Sequence, residues 1–246
     1  MTDSSGPALG ALRIATPSDI LRMGIVSTCS FRYSPLFEWE RCYHETYPED
    51  TLLSYREELV EQIKDPKYIV LVASDKYDPD EARKSIAILP ENNGWEAPAA
   101  GEDVIVGFAC WKLEPGSKRQ GQYKNDSRHY PVLPPNQNRD QNADHVRRFS
   151  ALSKSAHERH FHGMSEMDQV AVHPAYWKRG HGTALVKWGM ELARMDQVAQ
   201  GVSAAKMGEK LYAELCYRVV ERIGLDGDEV TPQGVSTAMM VYDPRG

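Results

Sequence analysis

The sequence is poor in cysteine and has none of the usual cysteine motifs. Its four cysteines are widely separated and include no C-x-x-C pair: Cys29, Cys42, Cys110 and Cys216. Scattered thiols are typical of reduced cytoplasmic or nuclear proteins and not of secreted disulfide scaffolds. The first ten residues lack the basic and apolar regions of a secretory signal. No run of about 18 apolar residues is present, which excludes an ordinary membrane-spanning helix. We therefore expect a cytoplasmic protein with no membrane partner.

An excess of positive charge is also missing. The net charge is -6 and the isoelectric point is near 5.8, which argues against binding to a nucleic acid backbone. A mildly acidic protein is compatible with a cationic or amine substrate. The 41% hydrophobic and 26% charged fractions are those of an ordinary globular protein, and 246 residues can bury a core without disulfides.

The order of the predicted elements indicates one α/β domain over residues 1–246. Hydrophobic periodicity and turn residues predict strands at 12–14, 68–73, 104–111, 164–172, 201–204, 217–223 and 236–242. They predict helices at 20–28, 52–64, 144–161, 182–198 and 206–215. Strands and helices interleave, which favours a mixed central sheet flanked by helices. We expect residues 1–10 to be a flexible N-terminus and residues 115–160 to be a long insert before the fourth strand. The part of the insert up to about 142 is rich in Asn, Gln, Pro and Arg, and predicts an exposed or mobile loop.

The chemistry is carried by the segment from Val170 to Leu185, where a strand leads through a basic, glycine-rich turn into a helix. Gly180 and Gly182 permit torsions and close approaches that a Cβ would forbid. The free N–H groups at the helix start face a bound anion, and Lys178 and Arg179 add positive charge. This pattern favours a pyrophosphate. The dinucleotide fingerprint G-x-G-x-x-G fails because position 185 is Leu, and no Walker motif is present.

This segment resembles the acetyl-CoA signature of the GCN5-related N-acetyltransferase (GNAT) superfamily, V-x-P-x-[YF]-[QR]-x-x-G-x-[GA]. The matching residues are Val172, Pro174, Tyr176, Gly180 and Gly182, and Trp177 departs from the usual Gln or Arg. A second stretch, residues 208–217, resembles the family's G-x-x-L-Y-x-x-x-G-F, with Cys216-Tyr217 in place of Gly-Phe. The asparagine that often follows the fifth strand is replaced by Ala204-Ala205.

The resemblance implies a fold in which the fourth and fifth strands splay apart to admit the pantetheine arm of acetyl-CoA. A strand N–H then polarises the thioester carbonyl. The implied cosubstrate is acetyl-CoA, with no metal. The implied cofactor-binding residues are Val170, Ala171, Val172, Lys178, Arg179, Gly180, His181, Gly182 and Thr183.

Two residues are candidates for proton transfer. Tyr212 occupies the family's tyrosine position and is the candidate general acid; a core tyrosine is the alternative. Glu166 lies six residues before Val172, where the histone acetyltransferase branch places a catalytic glutamate, and is the candidate base. The alternatives are Asp168 as the base and a merely solvated carboxylate at Glu166. Strand alternation predicts that Glu166, Asp168, Val170 and Val172 share one side of the strand.

Three histidines near the end of the predicted 144–161 helix, His157, His160 and His162, do not form a recognised metal motif. No H-E-x-x-H pattern or carboxylate–cysteine set accompanies them, so we expect no metal.

The sequence predicts an enzyme that acetylates the amine of a small molecule. A protein or peptide N-acetyltransferase, favoured by Glu166, stays open. So does a catalytically silent CoA-binding domain, favoured by Trp177, Cys216 and the missing asparagine. The identity of the acceptor and a monomeric or homodimeric state are also open.

Overall fold

In the computed structural model, which describes residues 6–125 and 127–246, seven strands form one mixed sheet. Their bounds are β1 (Leu12–Ile14), β2 (Tyr68–Lys76), β3 (Asp103–Lys112), β4 (Ser165–Val172), β5 (Gln200–Ala205), β6 (Arg218–Leu225) and β7 (Val235–Tyr242). The spatial order is β1-β2-β3-β4-β5-β7-β6. β4 and β5 pair in parallel, and the other neighbours are antiparallel. The predicted mixed sheet is confirmed.

Six helices accompany the sheet in the described residues: α1 (Ile20–Phe31), α2 (Pro35–Glu40), α3 (Pro48–Lys64), α4 (Ala143–His160), α5 (His181–Asp196) and α6 (Lys206–Glu214). Each predicted helix is present. α2 was not predicted, because six residues are too short to show a helical repeat. Its signals are local: Pro35 occupies the first turn, and the Ser34 hydroxyl accepts a hydrogen bond from the Leu36 N–H at 3.2 Å.

The strands bury alternate residues on two faces. On β2, Val70 and Val72 pack against α1 and α3, while Ile69 and Leu71 face α5. Burying one such side chain contributes about 1.5–3 kcal/mol. The sheet is thus covered on both faces, and the beginning of α5 is held at the end of β4.

A β-bulge changes the direction of the side chains in β4. Cys110 of β3 pairs with Gln169 and Trp111 pairs with Met167, which leaves Asp168 as the extra residue. Met167 and Val170 consequently both pack in the cluster with α5, although simple alternation would place them on opposite faces. The prediction that Glu166 and Asp168 share a side with Val170 and Val172 is therefore wrong, because the bulge reverses the alternation between the two pairs.

The fourth and fifth strands separate where the bulge begins. β4 pairs with β5 at three positions, Ser165, Glu166 and Met167. Beyond Met167 the edge of β4 has no partner strand in the described residues, and a cleft opens between the two strands. The predicted splay is confirmed.

The segment before α4 is anchored at both ends. Arg119 forms a bidentate ion pair with Asp196 of α5 at 2.5 and 2.7 Å. Asp140 is fully buried, pairs with Arg41 and accepts a hydrogen bond from the Thr51 hydroxyl at 2.8 Å. Between these anchors, exposed residues alternate with partly buried ones such as Tyr130 and Leu133, and the mobility of the segment stays a prediction. The bounds of the insert stay a prediction.

The predicted flexible N-terminus falls partly outside the described residues, since residues 1–5 are not among them. Within the described part, the Pro7 carbonyl accepts a hydrogen bond from the Trp188 indole N–H at 3.3 Å. None of the helices in the described ranges has the length and apolar character needed to cross a membrane.

Candidate active site

A cleft of about 640 Å³ lies between the separated strands, within the size range of small-molecule sites. Its walls are residues 167–170 and 172 of β4, residues 202–205 of β5, the turn before α5, and α6. A larger depression of about 1020 Å³ lies beside the β6–β7 connection, and no predicted site residue lines it. The smaller cleft is therefore the candidate site.

The free edge of β4 presents backbone groups to this cleft. The His173 N–H bonds back to the Val106 carbonyl of β3 at 2.8 Å. Because N–H groups alternate in direction along a strand, the N–H of Val172 and that of Val170 point the other way. The side chains of both valines line the cleft. Ala171 differs, because its side chain packs against α1 and α3.

The turn after β4 ends in a helix start with unpaired donors. Gly180 has a φ of +90° and precedes α5 directly, a conformation that favours glycine. The N–H groups of His181, Gly182 and Thr183 belong to the first helical turn, where no intrahelical acceptor exists, and these residues line the cleft. Gly182 has no positive φ, and a Cβ there would lie 3.7 Å from Leu211 and Val172, an ordinary van der Waals contact.

The basic side chains of the turn differ in what they contact. Lys178 is exposed and lines the cleft. Arg179 and His181 each contact the Asp75 carboxylate at 3.0 Å. Burial raises the pKa of Asp75, but the hydrogen bonds from its partners, with that from His181 the largest, outweigh burial and leave the pKa below its ordinary value. The structure thus brings Lys178 and His181 to the cleft, whereas Arg179 braces the turn.

Trp177, the position that departs from the family signature, ties the turn to the strand. Its indole N–H donates to the Val172 carbonyl at 2.6 Å, and its ring lies 4.9 Å from that of Tyr33. The indole therefore fixes the geometry of the turn while leaving the backbone donors of α5 free.

Tyr212 reaches the same cleft from α6. The side chain is buried, and burial raises its pKa above the ordinary value for tyrosine. The phenol is therefore protonated at neutral pH, as a proton donor must be. Its ring lies 5.4 Å from that of Tyr217, whose hydroxyl donates to Gln200.

The chain matches known proteins over most of its length. The sequence model of the Acetyltransferase (GNAT) family matches residues 34–217. An acetyltransferase of Stachybotrys chartarum (strain CBS 109288 / IBT 7711) is 31% identical over 245 residues, which are 97% of this chain and 93% of the relative. The chain belongs to the GNAT acetyltransferase family.

The fold agrees with solved structures of acetyltransferases. The histone acetyltransferase HPA2 and related acetyltransferase from Corynebacterium glutamicum ATCC 13032 gives a TM-score of 0.53 at 18% identity, over 95% of this chain and 96% of that chain. Arylalkylamine N-acetyltransferase 2 from Aedes aegypti gives 0.53 at 12% identity, over 95% and 98%. At these identities the similarity shows the GNAT fold alone.

Glu166 of this GNAT chain lies outside the cleft. Its carboxylate accepts a hydrogen bond from His157 Nδ1 at 2.7 Å and lies 4.0 Å from Lys112 Nζ, beside a separate cavity of about 430 Å³. Burial raises the pKa of Glu166, but the hydrogen bond from His157 and the electrostatic effects of His157 and Lys112 outweigh burial, so the pKa lies below the ordinary value. The structure does not bring Glu166 and Tyr212 together in one cavity.

Asp168, the bulged residue, lines the cleft instead. The Gln62 amide N–H and the Tyr68 hydroxyl both donate to its Oδ2 at 3.0 Å. Glu58, one helical turn before Gln62 on α3, lies close enough for the negative charge of Asp168 to raise its pKa. The sequence analysis missed Glu58, since it was one of several acidic residues on an amphipathic helix and no motif marks it.

Within residues 6–125 and 127–246, no group of three or more His, Cys, Asp or Glu side chains is arranged to hold a metal ion. Two of the histidines considered above have carboxylate partners: His157 contacts Glu166, and His160 contacts Glu221 at 2.8 Å.

Proposed function

We propose that this acetyltransferase moves an acetyl group from acetyl-CoA to the amine of a small molecule, by direct attack in a ternary complex. The observation that supports this most strongly is the cleft between β4 and β5, which ends at the unpaired N–H groups of α5. An elongated cosubstrate with a pyrophosphate at one end and a thioester at the other fits such a cleft.

In this proposal the pyrophosphate binds the N–H groups of His181, Gly182 and Thr183, where the helix dipole favours an anion. Lys178 adds a positive charge. The pantetheine arm bonds to the edge of β4 at Val170 and Val172, in the way that a peptide adds to a sheet edge.

The proposed chemistry is attack of a neutral amine on the thioester carbonyl. A strand N–H facing the cleft stabilises the oxyanion, the C–S bond breaks, and Tyr212 gives a proton to the departing thiolate. Glu166 stays a prediction as the base, although its pairing with His157 outside the cleft favours a structural role.

A small acceptor is favoured over a protein because the segment before α4 packs against α1 and α3. Arg139 pairs with Asp50 at the start of α3 at 2.8 Å, and Tyr130 and Leu133 pack against the cluster of α1 and α3. In this proposal the segment restricts the acceptor side of the site to small molecules.

The test is mass spectrometry of the protein with acetyl-CoA and a panel of small amines and peptides, together with calorimetry of CoA binding. We expect products on small amines. Gly182→Leu should weaken CoA binding at least tenfold, a loss of about 1.4 kcal/mol, because the side chain fills the cleft. Ala184→Leu, on the same turn but exposed, is the control. Product on peptides alone, or binding without turnover, would contradict the proposal.

A further inference from the structure

Two carboxylates beside the cleft have no cationic partner. In the described parts of the chain, neither Glu58 nor Asp168 takes part in an ion pair, and nearby Arg41 is paired with Asp140. Asp168 and Gln169 line the cleft. Glu58 is an exposed residue of α3, one helical turn before the Gln62 that donates a hydrogen bond to Asp168. Unpaired carboxylates in a concave surface attract a cation.

Two buried amides next to these carboxylates point to a ligand. The side chains of Gln62 and Gln169 are 4% and 8% exposed, and in each the carbonyl Oε1 is buried without a hydrogen-bond partner among the described residues. Gln62 cannot be turned to correct this, because its N–H already donates to Asp168 and an oxygen there would face a carboxylate. Buried acceptors without donors are rare in folded proteins.

A primary ammonium group supplies what this cluster lacks. It carries one positive charge and three N–H donors, so it can bond to three of the four acceptor groups, which are two carboxylates and two amide oxygens. We propose that Glu58, Asp168, Gln62 and Gln169 form the pocket for the protonated amine of the acceptor, and that Glu58 is the general base. This inference rests on the proposed acetyl transfer and specifies its acceptor as a primary amine that is cationic in solution.

The step balances without a further reactant. Glu58 takes a proton from the ammonium nitrogen, whose lone pair then attacks the thioester carbon. The C–N bond forms, the C–S bond breaks, and the thiolate takes the proton of Tyr212. The second proton of the attacking nitrogen leaves as the amide forms and is returned to the Tyr212 phenolate. The products are the amide and CoA, and the proton on Glu58 is released to solvent.

The protonation behaviour of Glu58 suits this role. Loss of hydration and the negative charge of Asp168 raise its pKa to about 7, against the opposing effects of the Gln169 amide and Arg41. A base of this pKa is efficient near neutral pH. The titratable and charged groups that face Glu58 are Asp168, Glu40, Arg41, Tyr55, Tyr68 and Cys110.

The test is the pH–rate profile of kcat/KM for the full chain with a primary amine that the parent acetylates. The parent should show a rising limb with an inflection near pH 7. Glu58→Gln should lower kcat/KM by about 10²–10⁴ and remove that limb, with acetyl-CoA affinity unchanged by calorimetry. Asp168→Asn should move the limb to lower pH, because it removes a like charge. Glu61→Gln, an exposed residue of the same helix, is the matched control.

The outcomes separate the two proposals. A parent that binds acetyl-CoA but acetylates no amine defeats the proposed function and this inference together. If the parent acetylates amines and Glu58→Gln keeps both its kcat/KM and the rising limb of the pH–rate profile, this inference alone is wrong. It is also wrong if only Glu166→Gln loses the rising limb. If the rising limb has the same inflection pH in Asp168→Asn as in the parent, the two carboxylates are not coupled as proposed.

Discussion

At the scale of single residues, Tyr212 allows a sharp test because a neighbouring tyrosine serves as its control. Tyr212→Phe removes the phenol and keeps the ring in its buried site, so we expect kcat to fall by about 10²–10⁴ with little change in stability. The loss should persist as pH rises, since deprotonating the amine does not replace a missing acid. The kcat of parent and variant is measured as thiol release from acetyl-CoA between pH 6 and 9, roughly the range in which the amine and its base titrate.

Tyr217→Phe removes a hydroxyl that hydrogen-bonds Gln200, one ring away from Tyr212. This variant should lower the free energy of unfolding by about 1 kcal/mol and leave kcat close to that of the parent. If Tyr212→Phe instead behaves like Tyr217→Phe, Tyr212 is a core residue, and catalysis depends on positioning and the strand N–H.

At the scale of elements, α5 is seated on the sheet through a glycine. A Cβ on Gly189 would lie 2.1 Å from Nε1 of the buried Trp111. Although alanine is the better helix former by about 1 kcal/mol, Gly189→Ala should destabilise the protein by about 1–3 kcal/mol through overpacking. Denaturant unfolding measures the difference.

Gly182→Ala is the internal comparison for that experiment, since the added Cβ meets its neighbours at 3.7 Å, an ordinary contact. This variant should be as stable as the parent or slightly more stable. If Gly189→Ala were equally well tolerated, α5 would not sit on Trp111 as described.

The elements also show which features the sequence could predict. The strand–turn–helix around Gly180 was predicted because torsion, periodicity and capping are local properties of the chain. The bulge at Asp168 was not, because an extra residue in a strand is defined by the partner strand. That one residue reversed the expected directions of Glu166 and Val170.

In the candidate site, too, only the residues that lie in local motifs could be predicted from the sequence. Lys178, Gly182 and Tyr212 lie in recognisable motifs and were assigned from them. Glu58 and Asp168 meet only when α3 packs over β4, so no local pattern connects them.

At the scale of the whole molecule, two titratable groups give the stability opposite dependences on pH. The pKa of Glu58 is raised to about 7, so the folded state holds its proton more tightly and stability falls as pH rises from about 4.5 to 7. The pKa of His173 is lowered to about 4, mainly by burial. The unfolded state then binds the extra proton below about pH 6.5, and stability falls as pH decreases toward 4.

His173→Asn should isolate the second contribution. The histidine is 1% exposed, and its Nδ1 accepts a hydrogen bond from the Ala175 N–H at 3.3 Å, which an asparagine oxygen can replace. Between pH 6.5 and 4.5 the parent should lose about 1.4 kcal/mol per pH unit relative to the variant, measured by urea unfolding at each pH. The exposed His162→Asn should follow the parent. Parallel curves for parent and His173→Asn would mean that His173 is protonated in the folded protein, and the burial of this histidine at the end of β4 would need revision.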